Sequence, residues 1–460
     1  MPDPGSGSGG GAPSAPPEGP GAPATPPRGT PSSAGAGDGD GRERRGLSRR
    51  QFMGLGGLGA LTLGLGGAGG FALGHRQAGD GVAAELMALS YPFRGAHQQG
   101  ILTPAQQQMH TAAFDLTTTD RDTVIALLTD WTLAAERMTL GQPIADPSVD
   151  PLAPPADTGE TYGSGPAGLT VTFAVGATLF LTDQGEDRFG LADRMPQALR
   201  DGIPRMAAEK LDPARGGGDL LVQACSEDPM VNLHALHDLT RLAFGRATMR
   251  WTQLGYGRTS STSTAQQTPR NLFGFKDGTS NLKAEDAPTE LDEHLWIQPG
   301  DDQGAWAAGG SYLCFRRIKM MMEVWDELAL GEQERTIGRD KLQGAPLSGG
   351  QEFTHPDFGS GAIDTASHVA LMHPDNNGGR RMLRRGYNYL QGVDELGRLD
   401  AGLFFVAFVR SPADGFVPVL SKMSQDLLTE YLQHVASGVY LVLPGVGESD
   451  AYVGQSLFSS

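Results

Sequence analysis

The sequence predicts an α+β protein of two domains of similar design, each an antiparallel sheet with helices packed on one face. Two observations carry this. Strand-like alternation and helical periodicity occur as a set after about Leu86, and a similar set recurs in the second half. The expected domains are residues 81–265 and 266–460.

Within the first set, Thr117-Thr118-Thr119-Asp120 is a cluster of helix-capping residues. Arg121–Leu140 then carries Val124, Leu127, Leu128, Trp131, Leu133 and Met138 at a helical period. The Pro- and Gly-rich stretch Gln142–Gly168 reads as a long loop. Leu169–Val175 alternates as a strand, Asp219–Ala224 is strand-like, and Pro229–Phe244 has the apolar spacing of a helix. In the second set, Gly310–Ile318 reads as a strand, Met320–Leu330 as a helix, Gly402–Val409 as a strand and Ser424–Val435 as a helix.

Charge and cysteine content exclude several functions. The net charge of −17 argues against nucleic acid and anionic membrane surfaces as partners. Two cysteines, Cys225 and Cys314, are too few for a four-thiolate cluster, and no Cys-x-x-Cys-His run exists to attach a c-type haem. Both sit in apolar contexts and read as small buried hydrophobes, and sequence leaves their pairing open. Met320-Met321-Met322 offers a thought of copper, but consecutive residues point to different helix faces, which favours packing.

Residues 1–47 are dominated by Pro, Gly, Ala, Ser and Asp and cannot bury enough apolar area to offset the entropy of ordering. Residues 48–80 have the layout of an export signal: Ser48-Arg49-Arg50-Gln51-Phe52-Met53, then an uncharged run to Gly74. The paired arginines resemble the twin-arginine signal, which carries folded proteins across a membrane. The rival is a permanent anchor. Ten glycines between Met53 and Gly74 make that a poor transmembrane helix, since each costs about 1 kcal/mol relative to Ala.

The chemistry centres on Asn271–Asn281. Asp277 lies between the apolar Phe273 and Phe275 and a run of turn formers, Gly278, Thr279, Ser280 and Asn281. An acid on such a loop offers a proton acceptor to an apolar pocket, although an Asp-Gly pair alone is more often a simple turn. About a hundred residues on, Ser367–Leu371 places His368 in a short apolar stretch, and Met382–Tyr389 carries Arg384-Arg385. The turn material Pro374–Gly379 lets these two segments run back toward one pocket. Taken singly, His368 would more often be a core residue and Arg384 a salt-bridge partner.

Together these residues resemble the dye-decolorising peroxidase family. The resemblance spans nearly all of the chain after the signal. Pro92-Phe93-x-Gly95-x-His97-Gln98-x-Gly100-Ile101 opens it, followed in order by Phe114-Asp115-Leu116 and Gly218-Asp219-Leu220 with Gln223-Ala224. Gly274-x-x-Asp277-Gly278, Ile337-Gly338-Arg339 and Gly402-Leu403-Phe404-Phe405 complete the series. Within the family the chain looks most like the twin-arginine-exported deferrochelatase/peroxidase subgroup.

The resemblance implies two ferredoxin-like domains, with one non-covalent haem b per chain in the carboxy-terminal one. It assigns His368 as the proximal iron ligand, Asp277 as the distal acid and Arg384 as the distal arginine. Leu403 and Phe405 match apolar residues on the distal side. Gly278, Thr279, Ser280, His373, Pro374 and Asp375 match positions that border the haem. Asp375 departs from the basic residue common in relatives, which turns attention to Arg380 or Arg381 as propionate partners. Asp400 and Asp426 are candidates for the carboxylate behind His368. Trp296, Trp325, Tyr387 and Tyr389 are candidate relays to large donors, though their reading as core aromatics is stronger.

The implied activity is oxidation of organic donors by hydrogen peroxide through a ferryl haem, in an exported protein. Asp277 would move the peroxide proton, and Arg384 would stabilise the departing oxygen. Removal of iron from haem with the porphyrin left intact is an alternative, and a non-catalytic haem carrier is another. The implied partners are the twin-arginine export machinery, peroxide, donors and haem itself as substrate, with a homo-oligomer left open.

Overall fold

The computed structural model describes residues 81–147 and 150–459. The paired arginines and the rest of residues 1–80 lie outside the described residues. Among the described residues nine strands form the framework: β1 (Gln108–Leu116), β2 (Thr170–Val175), β3 (Leu220–Ser226), β4 (Ala247–Arg258), β5 (Ser311–Met320), β6 (Leu383–Arg384), β7 (Tyr387–Val393), β8 (Leu399–Val409) and β9 (Leu432–Val442).

In the first half the order across the sheet is β4-β1-β3-β2, all antiparallel. In the second it is β9-β5-β8-β7, with the two-residue β6 as an extra rung on β8. Setting β6 aside and counting strands as they occur in each half, both orders read four-one-three-two. The repeat expected from the sequence is therefore present in the topology. The halves also join edge to edge, β2 to β9 through Ala174↔Val442 and Val175↔Leu441, and β4 to β7 through Tyr256↔Asn388 and Arg258↔Tyr387. With β5 paired to β8, the hydrogen-bonded ladder returns to its starting strand.

Strand alternation divides the core. Phe114, Phe173 and Val222 face the helices Arg121–Thr139 and Pro229–Leu242, where Val124, Leu127, Trp131, Leu236 and Leu239 meet them. Their neighbours Ala113, Ala174 and Leu221 belong to a second core, with Leu313, Phe315, Phe404, Val406 and Tyr440 of the other half. Both helices begin as their sequences dictate. Asp120 accepts from the Thr123 amide at 3.0 Å, and Asp228 accepts from the Met230 amide at 2.7 Å ahead of Pro229.

Two segments differ from the sequence reading. Ser424–Val435 is not one helix: short 3₁₀ turns run to Tyr431, and β9 starts at Leu432. The expected helix Met320–Leu330 is split, because β5 continues to Met320 and two short helices, Met322–Asp326 and Leu330–Ile337, follow. His368, placed by the sequence in a short apolar stretch, opens a short helix, His368–Met372, capped by Ser367. Trp296, Trp325, Tyr387 and Tyr389 are all buried, so the core reading of these aromatics holds. Cys225 and Cys314 are free and buried, and Met320 packs among Phe273, Phe275 and Trp325.

Candidate active site

The Asp277 loop is fixed from both sides. Phe273 stacks on Trp325 with ring centroids 4.4 Å apart, and Phe275 meets the same indole edge-on at 5.9 Å. The Asp277 amide donates to Pro269 O at 2.9 Å. Gly278 then takes φ 83°, a left-handed conformation natural to glycine, and a Cβ there would stand 2.9 Å from Ser260 Cα. Three residues on, the buried Asn281 side chain imitates a strand. Its Oδ1 accepts from Arg384 N at 2.7 Å, and its Nδ2 donates to Arg384 O at 2.8 Å and Ser261 O at 3.0 Å. One amide thus ties the acidic loop to β6.

The Arg384-Arg385 pair, one at the end of β6 and one just beyond it, divides its labour. Arg385 is fully buried and donates to backbone carbonyls at Ile101 and Thr103, anchoring the two halves to each other. Arg384 faces the other way and donates from Nη1 to Asp277 Oδ1 at 3.0 Å. The second Asp277 oxygen accepts from Asn271 Nδ2 at 3.3 Å. Of the two side chains, 25% of Arg384 and 18% of Asp277 remain accessible, so the pair keeps an open side.

His368 is held by a carboxylate. Its Nδ1 lies 2.7 Å from Asp426 Oδ2, and the Asp426 side chain is wholly covered. Of the two acids expected behind this histidine, Asp426 is therefore the one in place, while Asp400 pairs with Arg317 at 2.8 Å. Burial lowers the His368 pKa, but the Asp426 carboxylate and its hydrogen bond outweigh it, and the net shift is upward. Although deep in the protein, 30% of the His368 side chain is accessible. What it opens onto is a cavity.

His368, Asp277 and Arg384 all line that cavity. So do Gly278, Thr279, Ser280, His373, Pro374, Leu403 and Phe405. Leu403 and Phe405 alternate with the buried Phe404 along β8, so both turn inward to the cavity. Asp375 is not among the lining residues; it sits against His355 at 2.9 Å and His373 at 3.4 Å. Arg380 and Arg381 do line the cavity, but Arg381 is paired with Glu290 and Asp286, and Arg380 donates to Asp414 O and Asn377 O.

Three lining residues escaped assignment from sequence. Arg339, 5% exposed, donates only to the carbonyls of Gly344 and Glu352, at 2.7 and 2.8 Å, and its pKa is lowered by burial. Among the described residues no carboxylate forms a salt bridge with it. Arg316 donates from Nε to His434 Nδ1 at 3.0 Å and pairs with the buried Glu209. The Ile337-Gly338-Arg339 block was a signal for the first. Nothing local to the sequence marks the other two, because they meet only when β5 and β9 pair.

Residues 98–257 match the family model Dyp-type peroxidase, N-terminal, and residues 268–447 match Dyp-type peroxidase, C-terminal. This chain belongs to the Dyp-type peroxidase family. It is accordingly an enzyme, a peroxidase. Among family relatives, a deferrochelatase of Escherichia coli O6:K15:H31 is 35% identical over 418 residues, covering 89% of this chain and 96% of its own. A deferrochelatase of Yersinia pseudotuberculosis is 36% identical over 380 residues, covering 80% and 85%. A DyP-type peroxidase crystal structure from Streptomyces coelicolor shares 38% identity at a TM-score of 0.73, covering 82% of this chain and 99% of that one. Ferric DtpA from Streptomyces lividans gives the same values.

Proposed function

We propose that this chain is an exported peroxidase carrying one non-covalent haem b in its carboxy-terminal domain, residues 266–460. The observation that carries the reading is the convergence of a carboxylate-backed histidine and an aspartate–arginine pair on one largely apolar cavity. The residues present fit a haem. Nε2 of His368 is left to hold iron, since Asp426 takes Nδ1. Arg339, a cation at the wall that forms no salt bridge among the described residues, suits a propionate better than Arg381, which is paired with Glu290 and Asp286. Thr279 Oγ1 is buried without a partner and borders the same space.

Bound haem would supply the iron that receives hydrogen peroxide and passes its oxidising power to organic donors. The chain's own groups do the rest. Asp277 takes the proton from one peroxide oxygen and returns it to the other. Arg384 stays cationic and stabilises charge on the departing oxygen. Asn281 and Gly278 hold the two at working distance. The test is reconstitution with haem, followed by absorption spectra with and without hydrogen peroxide and a donor-oxidation assay. A protein that binds haem but leaves peroxide unconsumed would refute the reading.

The deferrochelatase relatives support a second activity, release of iron with the porphyrin intact. Such release needs neither a distal base nor a cation aimed at a breaking oxygen–oxygen bond, so the Asp277–Arg384 pair favours peroxidase turnover as the main one. Free protoporphyrin, read by fluorescence from supplied haem, ranks the two. For export, Arg49 and Arg50 carry the proposal: replacing both by Lys keeps the charge but not the guanidinium groups, and cell fractionation should show the protein retained inside.

A further inference from the structure

Remote in sequence from the haem cavity's residues, the loop after the helix Arg121–Thr139 folds onto the helix Pro229–Leu242 and gathers a histidine and three carboxylates. His234 and Asp238 are four residues apart on one helix face. Asp157 and Glu160 come from the loop. The side chains of Asp157 and Asp238 are wholly covered, and that of His234 is 4% accessible.

Hydrogen bonds account for nearly every oxygen. Asp157 accepts from the amides of Gly159 and Ile144, each at 2.8 Å. Asp238 Oδ1 accepts from Thr158 N at 3.2 Å and lies 3.8 Å from Arg241 Nε. Glu160 Oε2 sits 3.0 Å from His234 Nδ1, and its Oε1 lies 2.6 Å from His237 Nδ1. Asp238 Oδ2 alone is buried without any hydrogen-bond partner. It points to His234 Nε2 at 3.6 Å, and Asp157 Oδ2 lies 3.7 Å from that same nitrogen.

These separations are informative. A hydrogen bond would draw nitrogen and oxygen to about 2.8 Å. Ligands arranged tetrahedrally around a shared ion at about 2.1 Å stand about 3.4 Å apart, close to what is seen. Glu160 on Nδ1 fixes the tautomer that leaves Nε2 unprotonated, the arrangement of a carboxylate-oriented metal-ligating histidine. We propose that Asp157, His234 and Asp238 form a divalent-cation site, with zinc as the fitting ion. Two carboxylates and a neutral imidazole carry the charge that a doubly positive ion balances, and a nitrogen-and-oxygen set suits zinc. Two exposed residues adjoin the cluster: His237, which meets Glu160, and Tyr162, which interacts with Asp157. Occupied, the site ties residues 157–160 to the helix beneath them.

Purified holoenzyme is dialysed against micromolar zinc chloride, passed over chelating resin and assayed for zinc by elemental mass spectrometry. The wild type should retain one zinc per chain, and Asp238→Asn and Asp157→Asn, each checked for folding by circular dichroism, should each retain at least tenfold less. Zinc should also raise the melting temperature of the wild type alone. A wild type that retains no zinc overturns the proposal whatever the variants do. So does zinc retention by the Asp157→Asn/Asp238→Asn double variant equal to that of the wild type.

Discussion

Arg384 and Asp277 form an ion pair that is only partly covered, and that position decides what each contributes. A fixed cation aimed at developing negative charge typically lowers the barrier enough that its loss costs about 100-fold or more in rate. Arg384→Leu should therefore retain haem but react with hydrogen peroxide at least about 100-fold more slowly in stopped-flow absorbance; an unchanged rate would remove the residue from the chemistry. Asp426→Asn probes the other side of the cavity. The amide still accepts from His368 Nδ1 but carries no charge, so the imidazole becomes a poorer donor to iron, and a loss of about 10–100-fold in haem affinity or turnover is expected. A haem titration that superimposes on the wild type would show that the carboxylate only positions the ring. At this scale the sequence was legible wherever a motif kept its members close together. Asp277 and Gly278 stood out as an acid ahead of turn formers, whereas Arg384, read singly as a salt-bridge partner and 107 residues away, drew its role only from the resemblance of the whole chain. Asp426 could only be named beside Asp400, because 58 residues separate it from His368 and no local pattern joins them.

At the scale of elements, the Asp277 loop depends on a close approach that side-chain chemistry alone does not reveal. Gly278 combines a positive φ with a packing distance to Ser260 that leaves no room for a methyl group. Gly278→Ala should cost about 1–3 kcal/mol in urea unfolding and slow the peroxide reaction by moving Asp277, while haem loading is largely kept. Equal stability in the variant would mean that the loop relaxes freely. Elements were read correctly where one periodicity ran unbroken, as in Arg121–Thr139 and Pro229–Leu242. Ser424–Val435 misled because Leu427, Leu428, Tyr431, Leu432 and Val435 satisfy a helical spacing while the last of them belong to a strand. What makes Leu432–Val442 extended is pairing with β5, more than a hundred residues earlier, and tertiary pairing overrides local preference. The helix that His368 opens did have a local clue: Ser367 directly before it is a helix cap.

For the whole molecule, acid sets a conflict. Donor oxidation should quicken below neutrality, because reduction of peroxide to water consumes protons. Stability should run the other way. Burial depresses the pKa of His110 to about 4, and burial with the Arg316 guanidinium takes His434 to about 3. Unfolded, both protonate near 6.5, so between about pH 6.5 and 4 the unfolded chain binds protons that the folded chain refuses. Stability therefore falls as pH drops through that window, by an amount on the order of several kcal/mol for the two together. Melting temperatures from pH 7 to 4 should decline steadily, and His110→Gln, which keeps a donor for Thr252, should flatten the slope. A slope identical in variant and wild type would assign acid sensitivity to the carboxylates instead. The duplicated plan of the molecule was visible from sequence, but the seams that join its halves were not, since each rests on only two paired residues at strand edges.

The closed ladder of strands bears on the order of events during synthesis. The strand that joins β5 to β2 is β9, the last of the nine to emerge from the ribosome, and its first residues, Leu432 and His434, are also part of the cavity wall. Until that strand arrives, β5 and β2 present bare edges, His434 is not beside Arg316, and the pocket lacks a side. A nascent or truncated chain therefore has no finished place to receive a cofactor. Closure of the ring acts as a completeness check: the cavity comes into being only once the chain has been read through β9.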